Sequence, residues 1–430
     1  MTRETVEVIG TLSASPGVVW SVVSDFTGNW HPAIATIRGE QDQRGSLIRA
    51  FTVHGEDTVY REQLTWLSHS DRTLGYTHLQ GISGADAYDG QIKVDPLEGG
   101  GSIVRWSAAI EATEPRLGDI CEGTKAIFEA GLLALEGAAG DLVASHVSKP
   151  KPVPVATEDI ILGSTPRLAL TVTPPVGGTL SLFLHGIGGG RDNWLTQLAV
   201  AGNVMRSAAL DLRGYGGSEL GPRQSTVDDY CADILRVKER LGADRLVLVG
   251  LSYGSWIATS FAMRHPDVLA GLVLSGGCTG MSEAGPDERE AFRANREAPL
   301  DAGQTPADFA PAVVKVLAGP SISDALKGQL LSSMAAIPSD VYRDALVCFT
   351  NPRERFDFSR LTMPVLMMTG EYDRLAKPAE IRGIANRILT QARRPDVRFE
   401  IIPDAGHVCN VEQPEAFNAI LLEFLSRLSR

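Results

Sequence analysis

Two hydrophobic rhythms divide the chain. In the first, apolar residues recur at every second position, as in the alternation of Val6, Val8 and Gly10 with polar neighbours, which is the signature of strands with one buried face. This rhythm predicts extended segments at about 35–41, 46–53, 58–68, 73–79, 87–94 and 102–112, separated by turns such as 98–101. Ser15-Pro16 opens a short helix carrying Val18, Val19, Trp20, Val22 and Val23, with proline in its favoured first turn, and a long helix over about 116–137 closes the unit. Alternation places Tyr60, Glu62, Leu64 and Trp66 on one face of a strand and Val104, Trp106, Ala108 and Ile110 on one face of another. Strands wrapped around a terminal helix with those residues inward leave a lined, largely aromatic and aliphatic interior. Glu62 is the one carboxylate placed inside. It is either a ligand contact or acid–base group, or a structural residue, paired with Arg49 or Arg105 or turned to solvent by a bulge that shifts the register, and the structural reading is favoured.

The second rhythm is one of short unbroken apolar runs, at 167–173, 180–184, 207–212, 245–249, 269–275, 364–369 and 397–402, alternating with helical segments. Strand and helix in turn imply a mostly parallel sheet covered on both faces. The interval 276–363, about ninety residues rich in helix formers, is too long for a loop and predicts a helical cap at about 279–360, with breaks near Pro299, Pro306, Pro311, Pro320 and Pro338. Lys149-Pro-Lys-Pro-Val-Pro154 cannot enter a sheet interior and reads as an extended spacer. The expected division is therefore a domain at 1–148, a linker at 149–158 and a second domain at 159–430.

The chemistry sits in the second domain. Gly250-Leu251-Ser252-Tyr253-Gly254 lies between a strand-like run and a helical one that ends at His265-Pro266. That is the context in which Gly-x-Ser-x-Gly forms a nucleophile elbow, a sharp turn with a strained serine at its tip. Five residues alone could be an idle glycine turn; the strand before and helix after favour the elbow. A serine hydroxyl needs a base and the base an orienting acid. Of the second domain's three histidines, His265 lies about three turns along the elbow helix and His185 belongs to a glycine-rich loop. His407, between the last strand and last helix, is the expected base. Asp373, directly after a strand in Gly370-Glu-Tyr-Asp-Arg374, is the expected acid, with Glu371 and Asp404 as rivals. Each alone could be structural, Asp373 as a helix cap and His407 as a buried imidazole; together they fill the serine, acid, histidine order. The loop His185-Gly-Ile-Gly-Gly-Gly190 nominates the N–H groups of Ile187 and Tyr253 as an oxyanion hole, with Gly186 and Trp256 as substrate contacts. A phosphate cradle is ruled out, since no Lys-Ser or Lys-Thr follows the glycines. Asp211-Leu-Arg-Gly-Tyr-Gly-Gly-Ser218 reads as a structural turn at the pocket rim, and Arg289, Arg293 and Arg296 on one cap-helix face read as a solvated charged face rather than a carboxylate site.

Composition narrows the rest. A net charge of −12 without a basic stripe argues against nucleic acid, and 43% hydrophobic with 21% charged residues is the balance of a globular protein. No stretch nears the roughly 20 apolar residues of a membrane helix, and the first ten residues lack a signal pattern, so a cytoplasmic location is expected. Cys121, Cys231, Cys278, Cys348 and Cys409 are scattered, without metal-ligand spacing or a disulfide framework, so reduced thiols and no metal or cofactor are expected; Cys278 and Cys409 near the site read as small buried residues.

Two resemblances follow. Ala14-Ser-Pro-Gly-Val-Val-Trp20, Asp25-Phe26, Trp30-His31-Pro32, Tyr60-Arg-Glu62 and Ser102-Ile-Val-Arg-Trp106 make residues 1–145 similar to the helix-grip family of pollen-allergen-type, lipid-transfer and polyketide-cyclase-like proteins. The resemblance implies an antiparallel sheet around a long C-terminal helix and a cavity for a small hydrophobic ligand. His185-Gly186, Asp211-x-Arg213-Gly214, Gly250-x-Ser252-x-Gly254, Gly370-x-x-Asp373 and Gly406-His407 make about 160–430 resemble the α/β-hydrolase superfamily, nearest in tail and cap to enol-lactonases and small-ester hydrolases. A serine rather than an aspartate at the elbow argues against dehalogenase or epoxide-hydrolase chemistry. The expectation is a serine hydrolase of a small ester or lactone fused to a ligand-cavity domain. The alternatives are hydrolysis of a carbon–carbon bond in a diketone, a bifunctional cyclase–hydrolase, and a ligand sensor with an inactive hydrolase. Nothing in the sequence indicates the oligomeric state.

Overall fold

The computed structural model describes residues 2–42, 47–68, 71–97, 100–147, 153–163, 165–392 and 396–429; of these, the side chains of 41 and 141–147 are not described. The chain divides into two compact units, Met1–Lys151 and Pro152–Arg430.

In the first unit, strand β1 (Thr2–Leu12) precedes helix α1 (Pro16–Val23), six further strands follow, and helix α2 (Glu114–Val147) ends the unit. The strands are β2 (Ile34–Gln41), β3 (Leu47–Val53), β4 (Tyr60–Ser68), β5 (Thr73–Gln80), β6 (Ala85–Pro96) and β7 (Ser102–Ala112). They form one antiparallel sheet in the order β1-β7-β6-β5-β4-β3-β2. Helix α2 buries Leu117, Cys121, Phe128, Leu132, Leu135 and Ala139 at helical spacing against Val104, Trp106, Ala108 and Ile110 of β7. It runs further than the sequence pattern predicts.

The β4 expectation needs a correction. The register slips between Arg61 and Glu62 and again between Leu64 and Trp66, and a slip of one residue exchanges the faces of a strand. Trp66 is therefore 44% exposed, whereas Glu62 stays buried and binds Arg49, with Arg49 Nη2 2.6 Å from its Oε2. The predicted turn at 98–101 and the start of the spacer at 149–152 fall outside the described residues in part.

In the second unit, β8 (Glu158–Leu162), β9 (Leu168–Val172) and β10 (Thr179–Leu184) lead into α3 (Leu195–Ala201), β11 (Arg206–Leu210), α4 (Val227–Arg240), β12 (Arg245–Leu251), α5 (Tyr253–Arg264) and β13 (Leu269–Ser275). Helices α6 (Pro286–Asp301), α7 (Pro306–Leu317), α8 (Asp324–Ala335) and α9 (Ser339–Thr350) follow as the cap segment. Then come β14 (Val365–Gly370), α10 (Pro378–Gln391), β15 (Val397–Ile402), α11 (Cys409–Glu412) and α12 (Pro414–Leu428). The sheet order is β15-β14-β13-β12-β10-β11-β9-β8, parallel from β15 to β11 and antiparallel where β9 meets β11 and β8. The edge strand β8, with its apolar run Ile160-Ile161-Leu162, is absent from the sequence-based expectation.

The uninterrupted apolar runs are explained by burial on both faces. Leu246 and Leu248 of β12, with Leu272 and Leu274 of β13, join the core under α4, α5 and α10. Val247, Val249 and Val273 point the other way, into the core shared with α3 and α12. Helix α5 is buried at every residue from Tyr253 to Met263, as a helix wedged between sheet and cap must be. In the cap, Pro306 stands in the first turn of α7 and Pro338 caps α9, but Pro299 and Pro311 lie inside α6 and α7 and break neither.

Candidate active site

The site begins at the end of β12. Ser252 has φ 54° and ψ −111°, a left-handed conformation that L-residues rarely adopt. It is held there from both sides: its N–H donates to the Ser275 carbonyl at 2.8 Å, and its carbonyl accepts the Trp256 N–H at 3.1 Å. The turn is possible because a Cβ at Gly250 would collide with the Gly254 carbonyl and one at Gly254 with the Leu184 carbonyl. Such strain typically costs about 1–3 kcal/mol. Behind the turn, the Ser255 hydroxyl accepts the Ser275 N–H at 3.0 Å and lies 2.8 Å from the Gly250 and Ser275 carbonyls, tying β12 to β13.

Asp373 follows β14 and His407 follows β15. Asp373 Oδ1 accepts the N–H groups of Leu375 at 2.8 Å and Ala376 at 2.9 Å; Oδ2 lies 2.9 Å from His407 Nδ1 and accepts the Thr369 hydroxyl at 3.2 Å. Burial alone would raise this carboxyl, but the hydrogen bond and charge of His407 and the two backbone amides outweigh it, holding Asp373 below the ordinary carboxylate value. An ionised carboxylate only accepts, so Nδ1 of His407 donates to it, and in the neutral imidazole Nε2 is then the nitrogen with the free lone pair. That Nε2 is buried and has no hydrogen-bond partner among the described residues. The rivals pair with each other instead: Glu371 Oε2 accepts the Asp404 N–H at 3.1 Å.

Two glycines after β13 bring serine and imidazole to one place. A Cβ on Gly276 would lie 3.1 Å from His407 Cε1, and one on Gly277 would lie 3.7 Å from the Ser252 Cα. Both side chains line a cavity of about 740 Å³ under the cap, whose wall also includes Gly186, Ile187, Tyr253 and Cys278. Ser252 and His407 share no hydrogen bond among the described residues. The N–H groups of Ile187 and Tyr253 enter none either, the latter because it heads a helix. Trp256 lies elsewhere. It is 1% exposed behind the wall, donating to the Ser282 hydroxyl at 3.0 Å and packed on Phe349, so it is core rather than substrate contact.

The other histidine of the motif has a structural task. His185 Nδ1 donates to the Gly186 carbonyl at 2.8 Å and its Nε2 accepts the Leu212 N–H at 3.0 Å, fixing the neutral tautomer; burial also pulls its basicity down. Asp211 accepts N–H groups of Arg191 and Gly217, which makes its segment the structural turn expected. All five cysteines are buried and unbridged, and burial pushes the Cys278 and Cys409 thiols up to about 12. No group of side chains among the described residues has the composition of a metal site, and no helix there is long and apolar enough to cross a membrane.

Sequence reasoning missed Glu412. Its buried carboxylate accepts the N–H of Gly319 at 2.7 Å and of Gly406 at 3.1 Å, while the His407 N–H donates to the Leu317 carbonyl at 2.7 Å. The turn after α7 is thereby stitched to the histidine loop. The signal was in view, as the acid of Val411-Glu-Gln-Pro414, but its partner lies far away in the chain.

Comparison with known proteins agrees with this architecture. A family model described as alpha/beta hydrolase fold matches residues 182–414, and one described as polyketide cyclase / dehydrase and lipid transport matches residues 3–140. A thermophilic esterase from Thermogutta terrifontis, solved with malate bound, superposes with a TM-score of 0.55 at 25% identity, covering 64% of this chain and all of that one. The enol-lactonase from Burkholderia xenovorans LB400 superposes with a TM-score of 0.53 at 19% identity over 62% of this chain and 100% of its own, a likeness of fold. Epoxide hydrolase 3 of Xenopus tropicalis is 27% identical over 274 residues, 57% of this chain and 71% of that protein. The chain belongs to the α/β-hydrolase family, as a hydrolase that carries an N-terminal domain of the polyketide cyclase/dehydrase type.

Proposed function

We propose that the protein is a serine hydrolase of a small carboxylic ester or lactone. The observation that carries this reading is His407: its Nδ1 is engaged by Asp373, and its buried Nε2 is unpartnered in the cavity that Ser252 lines. In this reading Nε2 takes the Ser252 proton as the oxygen attacks the carbonyl, Asp373 holds the imidazolium, and the free N–H groups of Ile187 and Tyr253 receive the oxyanion. His407 returns the proton to the leaving alcohol. Water, deprotonated by the same nitrogen, then releases the acid and restores the serine.

The esterase and enol-lactonase among the structural relatives are named for such substrates, and the mostly apolar cavity wall suits a small organic acyl group. The N-terminal domain, with Trp106 stacked on Phe128 at 4.4 Å in its core, is read as the holder of a small hydrophobic ligand. Native mass spectrometry of the purified chain tests that assignment, which a ligand-free mass in every preparation would defeat. For the hydrolase, a fluorophosphonate probe on the folded chain is the test. Labelling at Ser252 that disappears in Ser252→Ala is expected, and a folded, unlabelled wild-type protein would refute the reading.

A further inference from the structure

The three cap arginines read together from sequence part company in the structure. Arg293 turns to Glu290 at 2.6 Å and Glu297 at 3.6 Å, and it does not line the cavity. Arg296 does, as the one basic side chain other than His407 among the described lining residues. Its guanidinium lies over the Phe292 ring, 3.4 Å from the centroid, and donates from Nη1 to the Phe292 carbonyl at 3.2 Å. No carboxylate among the described residues forms an ion pair with it. Glu288 and Glu380 line the same cavity, and so does Tyr342, brought there by the packing of α9 against α6. The Tyr342 hydroxyl, on the cavity wall from α9, makes no hydrogen bond among the described residues, and the side chain is 5% exposed.

A partly desolvated cation without a counter-charge is costly, and an anion that enters beside it repays that cost. The geometry points to a carboxylate subsite formed by Arg296 and Tyr342 in the active-site cavity, so that the substrate is an ester or lactone bearing a free carboxylate away from the scissile bond. A guanidinium fork and a phenol O–H supply the paired donors that a carboxylate accepts. A single cation suits a monoanion, and Glu288 and Glu380 oppose a dianion such as phosphate. The subsite rests on the hydrolase reading for its meaning, since it names the class of substrate that Ser252 receives.

The test uses the full chain carrying Ser252→Ala, titrated calorimetrically with the monomethyl and dimethyl esters of succinic, adipic and suberic acids. A charge-assisted hydrogen bond predicts that at least one monoester binds about tenfold or more tightly than its diester. That ratio should fall to near one with Arg296→Met added and partway with Tyr342→Phe, while Arg293→Met leaves it in place. Equal binding of every monoester and diester pair overturns the subsite, as does a ratio that survives Arg296→Met. If Arg296→Met does not fold, Tyr342→Phe and Arg296→Lys give the same ratio, and an undiminished preference in both overturns the proposal. Turnover of the same esters by the unmutated chain separates the two readings. Binding preference without turnover refutes the hydrolase reading and supports the subsite; turnover without preference refutes the subsite alone.

Discussion

Each unit buries charged and aromatic groups, yet the two interiors treat them oppositely. In the N-terminal sheet Arg49 lies against Glu62 and over the Phe26 and Tyr76 rings, and the Trp106 indole donates to the Tyr76 hydroxyl at 2.9 Å. Under the hydrolase cap, Asp373 has every expected partner, but His407 Nε2 and the Ser252 hydroxyl face the cavity with no hydrogen-bond partner, and Arg296 faces it with no counter-ion, among the described residues. The lesson is that burial alone does not distinguish scaffold from site. Of these groups, those of the N-terminal core are already satisfied, whereas those that face the cavity still lack a hydrogen-bond partner or a counter-ion.

The contrast can be broken by substitution. Ser252→Ala should lower kcat by about a millionfold with an unchanged melting curve, if the triad acts as a unit; steady-state kinetics on a methyl ester would read it. Asp373→Asn keeps the shape but lets His407 adopt the wrong tautomer, and should cost about 10⁴-fold in kcat. On the other side of the comparison, Glu62→Ala leaves Arg49 buried and alone. It should destabilise the N-terminal unit by about 3–5 kcal/mol in urea unfolding while ester turnover by the folded chain is unaffected. A double replacement by apolar residues should recover much of that loss. If Glu62→Ala abolished turnover without unfolding, the division drawn above would be wrong.

Acid sharpens the same point. The Asp373 carboxyl is held below its ordinary value, so its share of stability is present above the unfolded-state pKa of about 3.9 and is lost as pH falls through the folded value. The melting temperature of the unmutated chain should therefore drop more steeply below about pH 4 than that of Asp373→Asn. Equal slopes in calorimetry would show that the depression contributes nothing.

How much of this was legible beforehand differs by element. The elbow could be read because its strand, glycines and helix are contiguous, and a local steric requirement shows in local residues. The side of Trp66 could not, because a bulge is set by pairing with β5 and leaves the alternation of β4 looking intact. Strand β8 was hidden behind a proline-rich run that argues for a spacer. Arg289, Arg293 and Arg296 share a helical face by spacing, but only the packing of α6 against α9 decides which of them meets the cavity. Glu412 shows the same limit, since its role is defined by Gly319, 93 residues away.

The left-handed backbone at Ser252 carries a further implication. Glycine occupies that region freely, so Ser252→Gly should melt later than the natural chain, by an amount corresponding to about 1 kcal/mol. An engineer selecting this protein for heat tolerance alone would thus be led to discard the serine proposed as its nucleophile, and any thermostable lineage drawn from it must be screened for turnover at every round.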